Sequence, residues 1–375
     1  GSMAFVQVHS PGLCASAHSA GQVVPRITAA GQAMVPSLPR QQTETPLVVW
    51  AAATALTARR QVRARQEQRM MRSGVLQPEV LTTQDVKEVP RGTLPKRPLL
   101  GPAVVITGAS EGVGRATAKQ FAVAGYHIMV AARTPETLEV AAEATKPFLK
   151  PGRQVITVTC DITSEADVAS LQVAAAEHFK EVRAVVCNAG VCMSGDFLEH
   201  DMKDFESQMQ VNFLGHVATA QAFLPGLLEI AATERGKRQH QKPTLCFVNS
   251  FGARVPLPNF TAYCASKYAL QGFADSLRLE AEPQGVRVIT VHPGVIRSDF
   301  RKRAQFRGPK GEAGRANLDS ILDGSSFLSR AVTQNVDEVA EAVLKAVQGE
   351  AAETVVGSAF KAVIGAHGIA KALGA

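Results

Sequence analysis

The first 75 residues contain no lysine and only two acids, Glu44 and Glu67, against eight arginines. That stretch carries +6 of the chain's net +7, and the other 300 residues are close to neutral. A basic nucleic-acid-binding face on the body is therefore not supported, and no nucleic-acid partner is expected. The six cysteines form no CxxC pair and have no histidine cluster beside them, so reduced, structural thiols and no metal are expected. Leu47 to Leu56 is apolar but only ten residues long, short of the ~20 that a bilayer span needs. No transmembrane span is expected. There is no internal repeat, and no low-complexity tract outside the leader.

What stands at the front is rich in Ala, Ser, Gln, Pro and Arg, the composition of an organelle transit peptide. Residues 1–75 are accordingly read as a targeting leader, disordered or cleaved, with the plastid as first choice of compartment and the mitochondrion second. Gly1-Ser2 ahead of Met3 is set aside as an appendage. Residues 76–101 form a polar, proline-punctuated linker, and the globular domain is expected over 102–358, with a tail at 359–375.

Ala103 to Thr107 is a short β-branched apolar run, the pattern of a buried strand. The turn Gly108-Ala109-Ser110-Glu111-Gly112-Val113-Gly114 follows at once, and then a helical pattern from Arg115. Glycines at such a turn let backbone approach a pyrophosphate, and the helix N-terminus offers unpaired N–H groups to the anion. The second strand, Tyr126 to Ala132, ends without an acid. An Asp or Glu there would accept from a ribose hydroxyl and select NAD. Arg133-Thr134 stands in its place, and a guanidinium fork suits a 2′-phosphate. NADP(H) is therefore expected in preference to NAD(H), with the charge of Glu111 as the opposing feature.

Helical and strand patterns then alternate: helix 135–147, strand 154–159, helix 164–179, strand 184–186. The alternation calls for a parallel sheet with helices on both faces. Asp161-Ile162 falls just past the third strand and Asn188-Ala189-Gly190 just past the fourth, at the carboxyl edge where cofactors bind. Farther on, Tyr263 and Lys267 lie four residues apart in a helical pattern and share a face. An ammonium beside a phenol lowers the phenol's pKa and makes it a usable acid or base.

Taken in order, the glycine turn, Asp161-Ile162, Asn188-Ala189-Gly190, Asn212, Ser250, Tyr263/Lys267 and Pro293-Gly294 followed by Ser298 resemble the short-chain dehydrogenase/reductase family over about residues 102–358. The resemblance implies an α/β single-domain Rossmann fold with a doubly wound, seven-stranded parallel sheet. It also implies a nicotinamide cofactor and a homodimer or homotetramer. It assigns catalysis to Asn212, Ser250, Tyr263 and Lys267. Tyr263 is the acid in carbonyl reduction, Ser250 a donor to the substrate oxygen, and Lys267 the residue that lowers the tyrosine pKa and holds the nicotinamide ribose. Asn212 organises a water for proton relay. Cofactor contacts are implied for Gly108, Ser110, Glu111, Gly112, Val113, Gly114, Arg133, Thr134, Asp161, Ile162, Asn188, Ala189, Gly190, Tyr263, Lys267, Pro293, Gly294, Ile296 and Ser298.

The implied activity is NADPH-dependent reduction of a ketone or aldehyde, or its reverse. The run Val255 to Phe260 resembles reductases of lipid-like ketones and broad carbonyl reductases more than 3-oxoacyl-carrier-protein reductases. A plastid 3-oxoacyl-carrier-protein reductase is the alternative within the enzyme class, and an NADP(H)-binding structural or sensing subunit is the alternative outside it. A substrate lid is expected over 299–328, where Arg301, Lys302, Arg303, Arg307, Lys310 and Arg315 form a basic surface open to an anionic substrate, or else a solvated loop.

Overall fold

The structure, a computed structural model, describes residues 97–233, 242–298, 304–322 and 333–372. The leader, most of the linker, residues 234–241 and parts of the expected lid lie outside the described residues.

The first strand, β1, runs Leu99–Thr107, so the domain starts three residues before Pro102, inside the expected linker. It is followed by helix α1 (Gly112–Ala124), β2 (His127–Ala132), α2 (Pro135–Thr145), β3 (Val155–Thr159), α3 (Glu165–His178) and β4 (Phe179–Cys187). After these come the short β5 (Met193–Gly195), α4 (Met202–Met209), a π-helical turn (Gln210–Leu214) and α5 (Gly215–Ala232). The second half holds β6 (Thr244–Val248), α6 (Thr261–Ala281), β7 (Arg287–His292), β8 (Val295–Arg297), β9 (Gln305–Arg307) and α7 (Gly308–Leu322). It ends with β10 (Thr333–Asn335), α8 (Val336–Gln348), β11 (Glu353–Val355) and α9 (Ser358–Ala372). Seven strands make one parallel sheet in the order β11-β7-β6-β4-β1-β2-β3. This is the doubly wound Rossmann arrangement that the alternation calls for.

Alternation along β1 shows why helices cover both faces. Ala103 and Val105 join one core with Leu171, Phe223 and Leu270 of α3, α5 and α6. Val104 and Ile106 join the other with Phe121, Leu138 and Val343 of α1, α2 and α8. A strand buried on both sides reads as a continuous apolar run, because successive side chains point to opposite faces.

Strand β4 is longer than the expected 184–186. Its first half holds charged residues, yet Arg183 is buried and donates to the Glu181 carboxylate at 3.0 Å and 3.1 Å. A buried, hydrogen-bonded ion pair allows polar residues inside a sheet. The run Met202–Ala232 has the length and apolar composition to cross a membrane. Here Phe223, Leu227 and Ala231 put its apolar side on the sheet.

Strand order reverses at β1, whose neighbours are β2 and β4. The loops after these strands therefore diverge and leave a crevice at their carboxyl ends.

Candidate active site

That crevice is a cavity of about 490 Å³. Every sequence-predicted site residue lines it except Gly114 and Asn212, which stand immediately behind its wall.

The glycine turn is built for close approach. Gly108 has φ +63°, and a Cβ on it would lie 2.6 Å from the Ala189 Cα. A Cβ on Gly114 would lie 2.6 Å from Asn188 Nδ2. Any side chain at either glycine would push apart the junction of β1, α1 and β4. Asn188 locks that junction. Its amide donates to Thr107 O (3.1 Å) and Gly108 O (3.0 Å), and its backbone N–H donates to Thr107 Oγ1 at 3.1 Å. The α1 N-terminus faces the cavity through Glu111, Gly112 and Val113. Across the cavity, Ser298 approaches the position of a Gly112 Cβ at 4.0 Å. Arg133 and Thr134 are exposed residues on the rim beyond β2. Asp161 is pinned by its own turn, with its carboxylate accepting from Thr163 N and Oγ1 at 3.0 Å and 2.8 Å.

The catalytic candidates come from three elements. Ser250 follows β6, and its Oγ accepts the Gly252 N–H at 3.0 Å. Because that backbone donor occupies the oxygen, the hydroxyl hydrogen is left for the phenol or a substrate oxygen. Tyr263 sits in the first turn of α6 and hydrogen-bonds the Ser250 side chain. The residue leading into this helix turn, Asn259, has φ +64°, a left-handed conformation that asparagine tolerates. Its carbonyl accepts from Gly195 N at 2.9 Å, which ties β5 to the approach to Tyr263.

Lys267 is buried, with Nζ 6.0 Å from the Tyr263 ring centroid and donating to Val248 O at 3.4 Å. Here the expected electrostatics are corrected. Burial, reinforced by Cys192, pushes the Tyr263 phenol up, and the Ser250 hydrogen bond only partly opposes it. Lys267 itself is lowered to about 8 by burial. Desolvation dominates at Tyr263, a contribution that no sequence spacing reveals.

Asn212 occupies the π-helical turn, where Gly215 N–H bonds back to Gln210 O. Its side chain is engaged through both polar atoms. Nδ2 donates to Val191 O (2.9 Å) and Ser266 Oγ (3.0 Å), and Oδ1 accepts from Val191 N (2.9 Å). It therefore fastens the loop after β4 to α6, beneath Gly190 and Lys267. One turn on, His216 Nε2 donates to Ala189 O at 2.8 Å, while Nδ1 is buried with no partner among the described residues. Burial lowers the His216 pKa to about 3, so the ring is neutral.

Several wall residues escaped the sequence reading. Phe360, in the first turn of α9, packs against the Phe251 ring at 4.8 Å and covers Gly294, so the expected tail forms part of the cavity wall. Gln334 accepts the Gly294 N–H at 3.0 Å and donates to Val356 O, which joins that loop to the start of α9. The described part of the lid is not an open basic surface. Arg307 pairs with Asp204, Lys310 with Asp196, and the Arg315 guanidinium lies over the Phe306 ring. The five described cysteines are free and buried. Burial pushes Cys160, Cys192 and Cys246 up to about 12, so they are poor nucleophiles.

Residues 102–307 match the family described as short chain dehydrogenase. The bovine "Dehydrogenase/reductase SDR family member 7B" is 30% identical over 204 residues, 54% of this chain and 60% of that protein. The chain thus matches about three-fifths of that relative's length. A short chain dehydrogenase/reductase from Burkholderia phymatum, solved with NAD, shares the fold at TM-score 0.63 and 22% identity, covering 73% of this chain and 95% of its own. An alcohol dehydrogenase from Thermococcus sibiricus, solved with 5-hydroxy-NADP, aligns at TM-score 0.55 and 24% identity, covering 69% and 98%.

Proposed function

This chain belongs to the short chain dehydrogenase family, and from that premise we propose that it is an NADPH-dependent oxidoreductase that reduces an apolar ketone or aldehyde. The observation that carries the proposal is the convergence of Ser250, Tyr263 and Lys267 on the cavity walled at its other end by the Gly108–Gly114 turn.

The residues present fit a nicotinamide dinucleotide. Gly108 and Gly114 leave a cradle that a Cβ would fill, and the α1 N-terminus presents its N–H groups beside it. Gly108, Gly112, Val113, Asp161, Asn188 and Ser298 would hold the cofactor, with Arg133 at the 2′-phosphate end. Bound there, the cofactor supplies the hydride. Structural neighbours were solved one with NAD and one with an NADP derivative, so the preference for NADP(H) rests on Arg133 and on the absence of an acid after β2.

The chain's own groups handle the proton. Burial keeps Tyr263 as the neutral phenol, the form that carbonyl reduction consumes. Ser250, oriented by the Gly252 N–H, donates to the substrate oxygen and places it beside the phenol. Lys267, lowered to about 8, lies close to a working pH, where a group exchanges protons readily and can resupply the phenolate. Asn212 and His216 act as positioning residues that hold the Ala189–Val191 loop. Apolar side chains from Val191, Leu257, Phe260 and Phe306 wall the substrate end, which supports an apolar substrate. The spent charges of Arg307 and Lys310 weigh against an anionic one.

The test of the cofactor reading is Arg133→Ala. The unmodified protein should bind NADPH more tightly than NADH, and the variant should lose about tenfold in NADPH affinity with NADH unchanged, a salt-sensitive loss. Tighter NADH binding by the unmodified protein would overturn it.

A further inference from the structure

Strand β5 is three residues long and sits between two parts of the substrate end. Its Gly195 N–H donates to Asn259 O at 2.9 Å, four residues before Tyr263. Its other side pairs in parallel with β9, with Ser194 opposite Phe306. Helix α7 then crosses over it. A Cβ on Gly311 would lie 2.9 Å from Ser194 O, and one on Gly314 would lie 3.3 Å from Ser194 Oγ. Two glycines at helical spacing therefore let the α7 backbone settle on Ser194.

Ser194 is 1% exposed, and its hydroxyl has no hydrogen-bond partner among the described residues. It also lines the cavity that holds Ser250 and Tyr263. The surroundings explain the missing partner. Gly314 has no side chain to offer, and the lid residues that line the cavity among the described residues, Ala304 and Phe306, have no polar side-chain atom. A buried hydroxyl without a partner is unfavourable, and such groups are usually satisfied in native structures. A hydroxyl in an otherwise apolar binding wall also discriminates strongly between ligands that can and cannot pair with it.

We propose that Ser194 is a second anchor point for the substrate, and that the substrate is a carbonyl compound whose apolar body carries a second oxygen or nitrogen away from the reacting carbonyl. The inference rests on the reductase reading above and deepens it. One polar group meets Ser250 and Tyr263, and the other meets Ser194 under the α7 glycines. A serine hydroxyl both donates and accepts, so the remote group is a carbonyl, hydroxyl, ether or amide. Two fixed points define one pose, and with it which carbonyl is presented for reduction.

The probes are cyclohexanedione and cyclohexanone, similar in shape and differing in the second oxygen. They are offered to the full chain loaded with NADPH, as wild type and as Ser194→Ala, which removes a single oxygen. Wild type should favour the dione by about tenfold or more in kcat/KM, and Ser194→Ala should lose most of that preference through KM while cyclohexanone changes by less than about twofold. Ser194→Thr, which keeps the hydroxyl, should retain part of the preference. Equal treatment of the two ketones by wild type, or an equal response of both to Ser194→Ala, would overturn the subsite. Calorimetric titration of the same pair onto the NADPH-loaded protein reads the subsite without turnover. Absence of NADPH oxidation with every carbonyl compound therefore counts against the reductase reading, and equal dione and monoketone affinities count against Ser194.

Discussion

Arg307 of β9 holds Asp204 of α4, 103 residues earlier in the chain, through Nη2 at 2.7 Å and Nε at 3.2 Å. The acid is buried while the arginine is 47% exposed. Asp204 also closes the capping box of α4 with Asp201. Burial alone would raise its pKa, but the Arg307 hydrogen bond and its companions outweigh this and hold the carboxyl below the usual range.

The Arg307–Asp204 pair, with Lys310–Asp196, latches the described part of the lid over the substrate end. Arg307→Ala should raise KM for a carbonyl substrate several-fold with kcat nearly unchanged, and should speed proteolytic cleavage within residues 304–322. Since the Asp204 pKa is depressed, the latch is present above the ordinary carboxylate range and is lost as pH falls through the lowered value. Cleavage of wild type should therefore approach that of the variant only in acid. Identical cleavage at neutral pH would show that the pair does not restrain the lid.

Lys267 makes a stability prediction with a definite sign. Its folded pKa is lowered to about 8 from 10.5. Between those values the unfolded chain binds more protons, so in cofactor-free protein this group's contribution to stability rises with pH across that window. At pH 7 the buried ammonium is a liability, and Lys267→Met should raise Tm while abolishing turnover. The Tm advantage should shrink as pH rises from about 8 to about 10.5. A gap between the two proteins that is constant with pH would show that Lys267 is not desolvated as described.

Phe360 tests the assignment of the C-terminal helix to the site. Its ring fills the space over Gly294 and Phe251. Phe360→Ala should destabilise the protein by about 3 kcal/mol, the lower end for a buried aromatic because one side of the ring faces the cavity. It should also weaken cofactor binding, measured by fluorescence titration of NADPH. Unchanged NADPH affinity would separate α9 from the site.

These residues also show what could be read from the chain alone. The Gly108–Gly114 turn and the Tyr263/Lys267 pair are local patterns, and their geometry follows from the neighbouring strand and helix. Asn188 and Ser250 were legible because they sit at strand ends. Ser194 and Phe360 were not, since their roles come from contacts with Phe306, Gly314, Gly294 and Phe251, far away in sequence. The early start of β4 was hidden because Arg183 and Glu181 look exposed until they pair. The Tyr263/Lys267 spacing predicts a lowered phenol pKa, and burial, a tertiary quantity, reverses the sign. For the same reason the lid's basic residues looked available until their acidic partners were placed.

On the proposed function, Tyr263 delivers the proton in a hydride-transfer reaction. The most direct measurement is NADPH oxidation over a panel of ketones and aldehydes by wild type and Tyr263→Phe, with NADPH affinity measured alongside. Turnover by wild type is expected, with a fall of about 10²–10⁴-fold in kcat for the variant and NADPH affinity within about twofold, since the other implied cofactor contacts, the Gly108–Gly114 turn and Lys267 among them, are kept. Turnover that survives Tyr263→Phe, or a variant that loses activity only because it no longer binds NADPH, would contradict this role of Tyr263.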